Sequence, residues 1–209
     1  MKVKVCGITG YGDAKMVLDH GADALGFNFF PRSPRYLSPA DARSIIRRLP
    51  VFAVTVGLFV NVPDPGQVHA AAVTAGVHVL QLHGDENPEY CAALAAWPLI
   101  KAVRVGDRGM PENLADYHHV RCFLLDVRDD VLFGGTGRSF DWSLAKDMPP
   151  AKPFILAGGL RPDNVRAALG VVDPCAVDVC SGVESAPGKK DPVKMEDFMN
   201  EVRNARQHV

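Results

Sequence analysis

The chain has no apolar run near the length of a membrane span, no C-x-x-C pair, no stripe of basic residues and no G-x-G-x-x-G after its first strand-like segment. Crossing a bilayer as a helix takes roughly 20 consecutive apolar residues, so a helical membrane protein is excluded. Five cysteines (Cys6, Cys91, Cys122, Cys175 and Cys180) form an odd set without the spacing of a zinc site or a disulfide framework. The first residues, MKVKVCG, hold no signal-peptide apolar core, and together these features predict a reduced, cytoplasmic protein. With 23 Lys and Arg against 24 Asp and Glu the net charge is −1, which favours neither nucleic acid nor an anionic membrane as partner. A small neutral or anionic ligand suits this balance. No low-complexity segment, repeat or linker interrupts the 209 residues, so residues 1–209 are expected to form one domain with a sizeable core.

What is present is most informative at residues 154–184. Phe154-Ile155-Leu156-Ala157 is a short apolar run of the kind buried in a parallel sheet. Pro162 then opens a helical spacing through Val165, Ala168 and Leu169, and residues 176–179 read as the next strand. Gly158-Gly159 follows the first strand and Ser181-Gly182 the second. Residues without Cβ let backbone N–H groups converge on an anion, helped by a following helix N-terminus, so the pair of turns predicts a phosphate cup. Either Gly turn alone would read only as a tight turn.

The remainder alternates in the same way. Strands are predicted at 3–6, 24–29, 52–60, 77–82, 98–105 and 120–125, the last ending at Asp126, and helices at 13–20, 39–48, 65–75, 88–96, 112–117, 141–146 and 192–207. Ser38, before Pro39, is a good N-cap, and Gly21 and Gly76 are helix stops. Eight strands alternating with eight helices require right-handed crossovers and a parallel sheet, and eight units favour an α/β fold of the closed (β/α)8 TIM-barrel type.

In such a barrel the C-terminal strand ends share one mouth, here Cys6, Asn28, Asn61, His83, Arg104, Asp126, Gly158 and Ser181. Cys6 and Asp126 are the candidate base and acid. Each has a plainer reading, as a small core residue and as a cap or ion-pair partner. Arg35, on the loop after the second strand, could clamp a carboxylate or be a solvated loop residue. His83 could serve the substrate or only the structure. His118 and His119 are adjacent and point different ways, which gives no basis for a metal site. The loop at 127–140, with Gly134-Gly135-Thr136-Gly137, reads as a lid over the mouth or as a flexible connection.

Eight stretches in order resemble the phosphoribosylanthranilate isomerase family of tryptophan biosynthesis: KVCGIT (4–9), GADALGFNF with SPRY (21–36), VGLFVN (56–61), QLHGDE (81–86), LLD (124–126), GGTGRSFDW (134–142), LAGGL (156–160), and SGVE with GKKD (181–191). The resemblance implies a cofactor-free, metal-free Amadori rearrangement of a phosphorylated sugar–anthranilate, with Asp126 as acid and Cys6 as base. It also implies that Arg35 and His83 serve the substrate, and that Gly158, Gly159, Ser181 and Gly182 hold its phosphate. A monomer without nucleic-acid or membrane partners is favoured. Cys180 departs from the family, which usually carries Ser there. The related aminoimidazole carboxamide ribotide isomerases would have Asp in place of Cys6, a metal-dependent pentose phosphate epimerase would need more His and Asp ligands at strand ends, and a silent phosphate-binding module would not need Cys6 and Asp126.

Overall fold

A computed structural model describes residues 1–105, 112–127, 142, 145 and 152–205. Eight parallel strands close into a barrel in sequence order: β1 (Lys2–Cys6), β2 (Ala24–Asn28), β3 (Val54–Phe59), β4 (Val79–Leu82), β5 (Leu99–Val105), β6 (Cys122–Val127), β7 (Phe154–Ala157) and β8 (Ala176–Val179). The ring shuts where β1 pairs with β8 through Val3↔Val177, Lys4↔Asp178 and Val5↔Val179. Helices α1 (Tyr11–Asp19), α2 (Pro39–Ile46), α3 (Pro65–Ala75), α4 (Pro88–Ala93), α5 (Val165–Val171) and α6 (Pro192–Asn204) are found among the described residues. The loop predicted at 127–140 lies outside them apart from Val127, and so does the helix at 141–146 apart from Trp142 and Ala145.

Four helices start by one local device, a polar cap followed by proline. Ser38, Asp64, Asn87 and Asp191 each accept a backbone N–H of the first turn, with Pro39, Pro65, Pro88 and Pro192 next in the chain. Each cap contributes about 1 kcal/mol, and the proline fixes the helical φ where its missing N–H costs nothing. α3 ends on Gly76, whose φ of 76° is left-handed.

Alternation along the strands sorts the core into two parts. Val3, Val5, Val177 and Val179 pack outward in the large cluster shared with the helices. Val56, Ile100, Ala102, Leu124, Ile155 and Ala157 make a second cluster, which fills the barrel interior. Lys4 and Cys6 alternate with Val3 and Val5, so they too face inward.

Three elements differ from the expected ones. β3 begins at Val54 rather than residue 52, because Val51 and Phe52 lie in an exposed turn, Phe52 at 95%. Residues 112–117 form only a short 3-10 turn, Glu112–Asp116. After β8 the chain makes a second turn of that type, Ser181–Val183, and then an unpredicted hairpin of β9 (Glu184–Ala186) and β10 (Lys189–Lys190), reversing at Gly188, φ 78°.

Candidate active site

Cys6 ends β1, 6% exposed, and the absent side chain of Gly26 on β2 makes room for it. A Cβ there would stand 2.8 Å from Cys6 Sγ and 3.2 Å from Lys4 Nζ. Below Cys6, Lys4 Nζ meets Asp178 Oδ1 at 2.8 Å, a fully buried ion pair inside the barrel. Burial disfavours the ammonium, yet attraction to Asp178 and to Cys6 wins and raises the Lys4 pKa. Burial also lifts Asp178 to about 6.

The unpredicted hairpin supplies a second cation. Lys190 Nζ donates to the Cys6 carbonyl at 2.6 Å, the Cys180 carbonyl at 3.3 Å and Glu184 Oε1 at 2.9 Å. A hydrogen bond from Cys180 is the largest influence holding the Cys6 thiol well below the ordinary range. Burial opposes it, and Lys4, Lys190 and His83 add to the lowering. Cys180 is pushed up correspondingly, so the two thiols hold one proton between them, and the ammonium groups of Lys4 and Lys190 favour Cys6 as the anionic partner.

Across the mouth, Asp126 projects from β6, and its Oδ2 lies 3.0 Å from His83 Nε2 just past β4. Gln81 Nε2 is 2.8 Å from His83 Nδ1. An amide NH2 can only donate, so Nδ1 accepts, and Nε2 carries the ring proton and donates to Asp126. Gln81 Oε1 is buried with no partner among the described residues. His83 thus ties the Asp126 carboxylate to Gln81 of β4.

Arg35 is placed by its own loop. Asn28 Nδ2 donates to Ser33 Oγ at 3.0 Å, and that oxygen accepts the Arg35 N–H at 3.1 Å. The guanidinium grips Glu184, Nε at 2.8 Å from Oε1 and Nη2 at 2.5 Å from Oε2. Burial pushes the Glu184 carboxyl up, but the bonds from Arg35 and Lys190 outweigh it and hold it below its usual value. These bonds use Nε and Nη2, so a second carboxylate would meet the Nη1 side of the fork.

β7 runs into Gly158 (φ 85°) and Gly159 (φ 64°), a reversal suited to glycine. Asn164 secures the turn, donating to Gly159 O at 3.0 Å and accepting from Arg161 N at 2.8 Å. A Cβ on Gly182 would come within 1.9 Å of Leu160 O, so the turns after β7 and β8 are packed against each other. α5 has only seven residues, which leaves an anion here to the turn amides more than to a helix end. Ser181 opens the 3-10 turn that presents Gly182.

The structure therefore brings His83 and Asp126 together at the mouth where Cys6 ends β1, and it packs the turn after β7 on Gly182. Asn61 does a different job, since its side chain and N–H clasp Asp85 and Glu86. Arg104 lines a cavity of about 220 Å³ with Gly84, Asp85, Lys101 and Tyr117. Asp178, Glu184 and Lys190 were missed as site residues. The one signal for Lys190 was its place in GKKD, and for Asp178 a charge inside an apolar strand. No group of three or more potential metal ligands occurs among the described residues, and no helix among them is long and apolar enough to cross a membrane.

A family model described as N-(5'phosphoribosyl)anthranilate (PRA) isomerase matches residues 3–201. The N-(5'-phosphoribosyl)anthranilate isomerase of Pelobacter propionicus is 47% identical over 206 residues, 99% of this chain and 97% of that protein. A crystal structure of phosphoribosyl anthranilate isomerase from Thermotoga maritima superposes with a TM-score of 0.89 at 42% identity, covering 98% of this chain and 99% of that one. Another, in complex with reduced 1-(o-carboxyphenylamino)-1-deoxyribulose 5-phosphate, gives 0.85 at 41% identity, with the same coverage.

Proposed function

Because the chain belongs to the N-(5'-phosphoribosyl)anthranilate isomerase family, it is an isomerase of tryptophan biosynthesis, and we propose that it works by proton transfer between Asp126, Cys6 and the substrate. The observation that carries this reading is that Cys6, among the fixed cations Lys4 and Lys190, and Asp126, hydrogen-bonded to His83, lie at strand ends of the same barrel mouth.

The phosphate sits on the turns Gly158-Gly159 and Ser181-Gly182, and the anthranilate carboxylate meets the Nη1 side of Arg35. Asp126 gives a proton to the furanose ring oxygen, the C1–O bond opens, and the anthranilate nitrogen takes up the charge as a Schiff base. The Cys6 thiolate removes the C2 proton, and the C2–H electrons flow toward nitrogen to give an enolamine, which tautomerises to the ketone. Protonation thus precedes abstraction, and the acid makes the C2 proton removable. His83 follows the state of the acid. Turning the Gln81 amide over would give Nδ1 an acceptor, move the ring proton and let Nε2 accept from a protonated Asp126, so each state of the acid has a matching network.

The reaction needs no cofactor or metal in this scheme. A cytoplasmic location fits the five free thiols. The sequence favours a monomer, and the exposed Val51 and Phe52 are where a second copy would dock. Light scattering distinguishes the two states.

The test is turnover of freshly generated phosphoribosylanthranilate, followed by loss of its fluorescence in EDTA. Full activity is expected, whereas loss restored by a divalent ion would overturn the metal-free scheme. Retained kcat in Cys6→Ser would move the base elsewhere.

A further inference from the structure

Cys180 takes no proton from the substrate in this scheme, yet it is the neighbour that most strongly acidifies Cys6, and its Sγ lies 4.0 Å from Glu184 Oε1. Register explains the meeting. β1 and β8 pair through Val5↔Val179, so Cys6, the last residue of β1, stands beside Cys180, the first residue past β8. Neighbouring strands run about 4.8 Å apart, within the Cα separation of roughly 4.4–6.8 Å at which a disulfide closes. Lys190 Nζ ties the two backbones together by donating to both carbonyls, at 2.6 Å to Cys6 O and 3.3 Å to Cys180 O. A Cβ on Gly7 would lie 3.1 Å from Cys180 Sγ, which places that thiol over the Cys6–Gly7 junction. Cys180 is itself only half-buried, so the pair opens toward the mouth.

We propose that Cys6 and Cys180 are a reversible oxidation site for hydroperoxides, at which a disulfide between them switches the enzyme off. The proposal rests on Cys6 being the base, since only then does the bridge remove the reacting group. In the first step the Cys6 thiolate attacks one peroxide oxygen: an S–O bond forms, the O–O bond breaks, sulfur is oxidised by two electrons, and hydroxide (or alkoxide) leaves. In the second step Cys180 sulfur attacks the Cys6 sulfenic acid. The S–S bond forms, the S–O bond breaks, and the Cys180 proton leaves with that oxygen as water. Two thiols and one hydroperoxide yield one disulfide, one water and one alcohol or second water.

The surroundings favour the first step and protect its product. Lys4 and Lys190 stabilise the attacking thiolate, and a peroxide is small enough to reach a site built for a phosphorylated sugar. A thiol on the neighbouring chain segment traps the sulfenic acid before a second oxidation to the irreversible sulfinic state. A serine at 180 would hydrogen-bond Cys6 but could not resolve it.

The experiment uses the full chain carrying Cys122→Ser and Cys175→Ser, because that second pair, 3.9 Å apart, would form a bridge of its own. The protein is treated with hydrogen peroxide, then assayed, weighed intact and mapped by peptide mass. The expected result is a loss of about 2 Da in a single peptide pair joining Cys6 to Cys180, with activity falling in step and returning on addition of dithiothreitol. Adding Cys180→Ser should make inactivation irreversible, with about 32 Da gained on Cys6. A gain of about 32 Da on Cys6 while Cys180 is present, both thiols left free, or a Cys6–Cys180 bridge in a fully active enzyme would each overturn the proposal. Failure of the base assignment is read separately, as kcat retained in untreated Cys6→Ser.

Discussion

Each end of the barrel brings two thiols close together, and the two pairs differ in what surrounds them. At the mouth are Cys6 and Cys180. At the opposite face Cys122, the first residue of β6, lies 3.9 Å from Cys175, just before β8. In both places one thiol is acidified and the other takes the proton, and Cys175 is lowered to about 7 by its bond from Cys122. A sulfur–sulfur hydrogen bond is therefore not enough to make a catalytic base. Cys175 is exposed and has no cation among the causes of its shift, whereas Cys6 is buried beside two ammonium groups and shares the mouth with the His83–Asp126 pair. The C-terminal face of such barrels is where loops assemble chemistry, and the N-terminal face mainly carries stability.

The comparison breaks most sharply if the mouth pair is dispensable. Cys6→Ser and Asp126→Asn should each lower kcat by roughly 10²–10⁴-fold, the ordinary contribution of a positioned base or acid, while a product analogue still binds. Calorimetric titration of the analogue checks the second half. A variant that loses binding along with kcat has lost its fold or its pocket, and says nothing about proton transfer.

Gly182→Ala tests the cup beneath the same mouth. The new Cβ would fall within 1.9 Å of Leu160 O, so one of the two packed turns must move. Losing one charge-assisted backbone donor costs about 1.5–3 kcal/mol, which is roughly a ten- to hundredfold rise in KM with kcat far less affected. A kcat loss at unchanged KM would place Gly182 in the chemistry and not in phosphate binding.

The barrel was legible because buried parallel strands leave short apolar runs, and because Pro39, Pro65, Pro88 and Pro192 mark helix starts. Cys6, His83 and Asp126 were legible because each sits at a strand end. Phe52 was misplaced for the same reason the strands were found: an apolar run reads as a strand whether or not anything covers it. Lys4 alternates with Val3 and Val5 in the sequence, but alternation does not say which face is interior, and only the closed ring puts it beside Asp178. Lys190 was invisible as a buried group because lysine is so seldom buried, and the hairpin that carries it has no apolar run to announce it.

Lys4→Met sharpens the comparison by making the mouth pair more like the pair at the far end. The groups facing Cys6 are Lys4 on its own strand, Asp178 and Cys180 from β8, Lys190 from β10, His83 after β4 and Arg35 from the loop after β2. Removing the Lys4 charge should raise the Cys6 pKa toward the ordinary thiol value. The thiolate is the active form, so kcat/KM rises with pH through this pKa, and the acidic limb of the profile should move to higher pH. Each unit of movement costs about tenfold at a pH well below the new value. Asp178 loses its partner, but burial already lifts it to about 6, and without Lys4 it goes further up and stays protonated at neutral pH, which limits the penalty. The rate of iodoacetamide alkylation against pH reads Cys6 directly, and an unmoved midpoint would show that the Cys180 bond alone sets its acidity.

The smallest expected effect is at the far face. Cys122→Ser with Cys175→Ser removes the exposed pair, breaks one sulfur contact and leaves β6 and β8 otherwise intact. Cys175 is exposed and Cys122 only partly covered, so little apolar surface is lost and the change in stability should stay within roughly 0.5 kcal/mol. kcat/KM should be unchanged and its pH profile superimposable on that of the unsubstituted chain, because Cys175, at about 7, titrates in the assayed range without touching the substrate. That makes the double variant a strict control. If a limb of the profile near pH 7 disappears with Cys175, then the acid limb assigned to Cys6 belongs to the wrong end of the barrel, and the electrostatic account of the mouth fails with it.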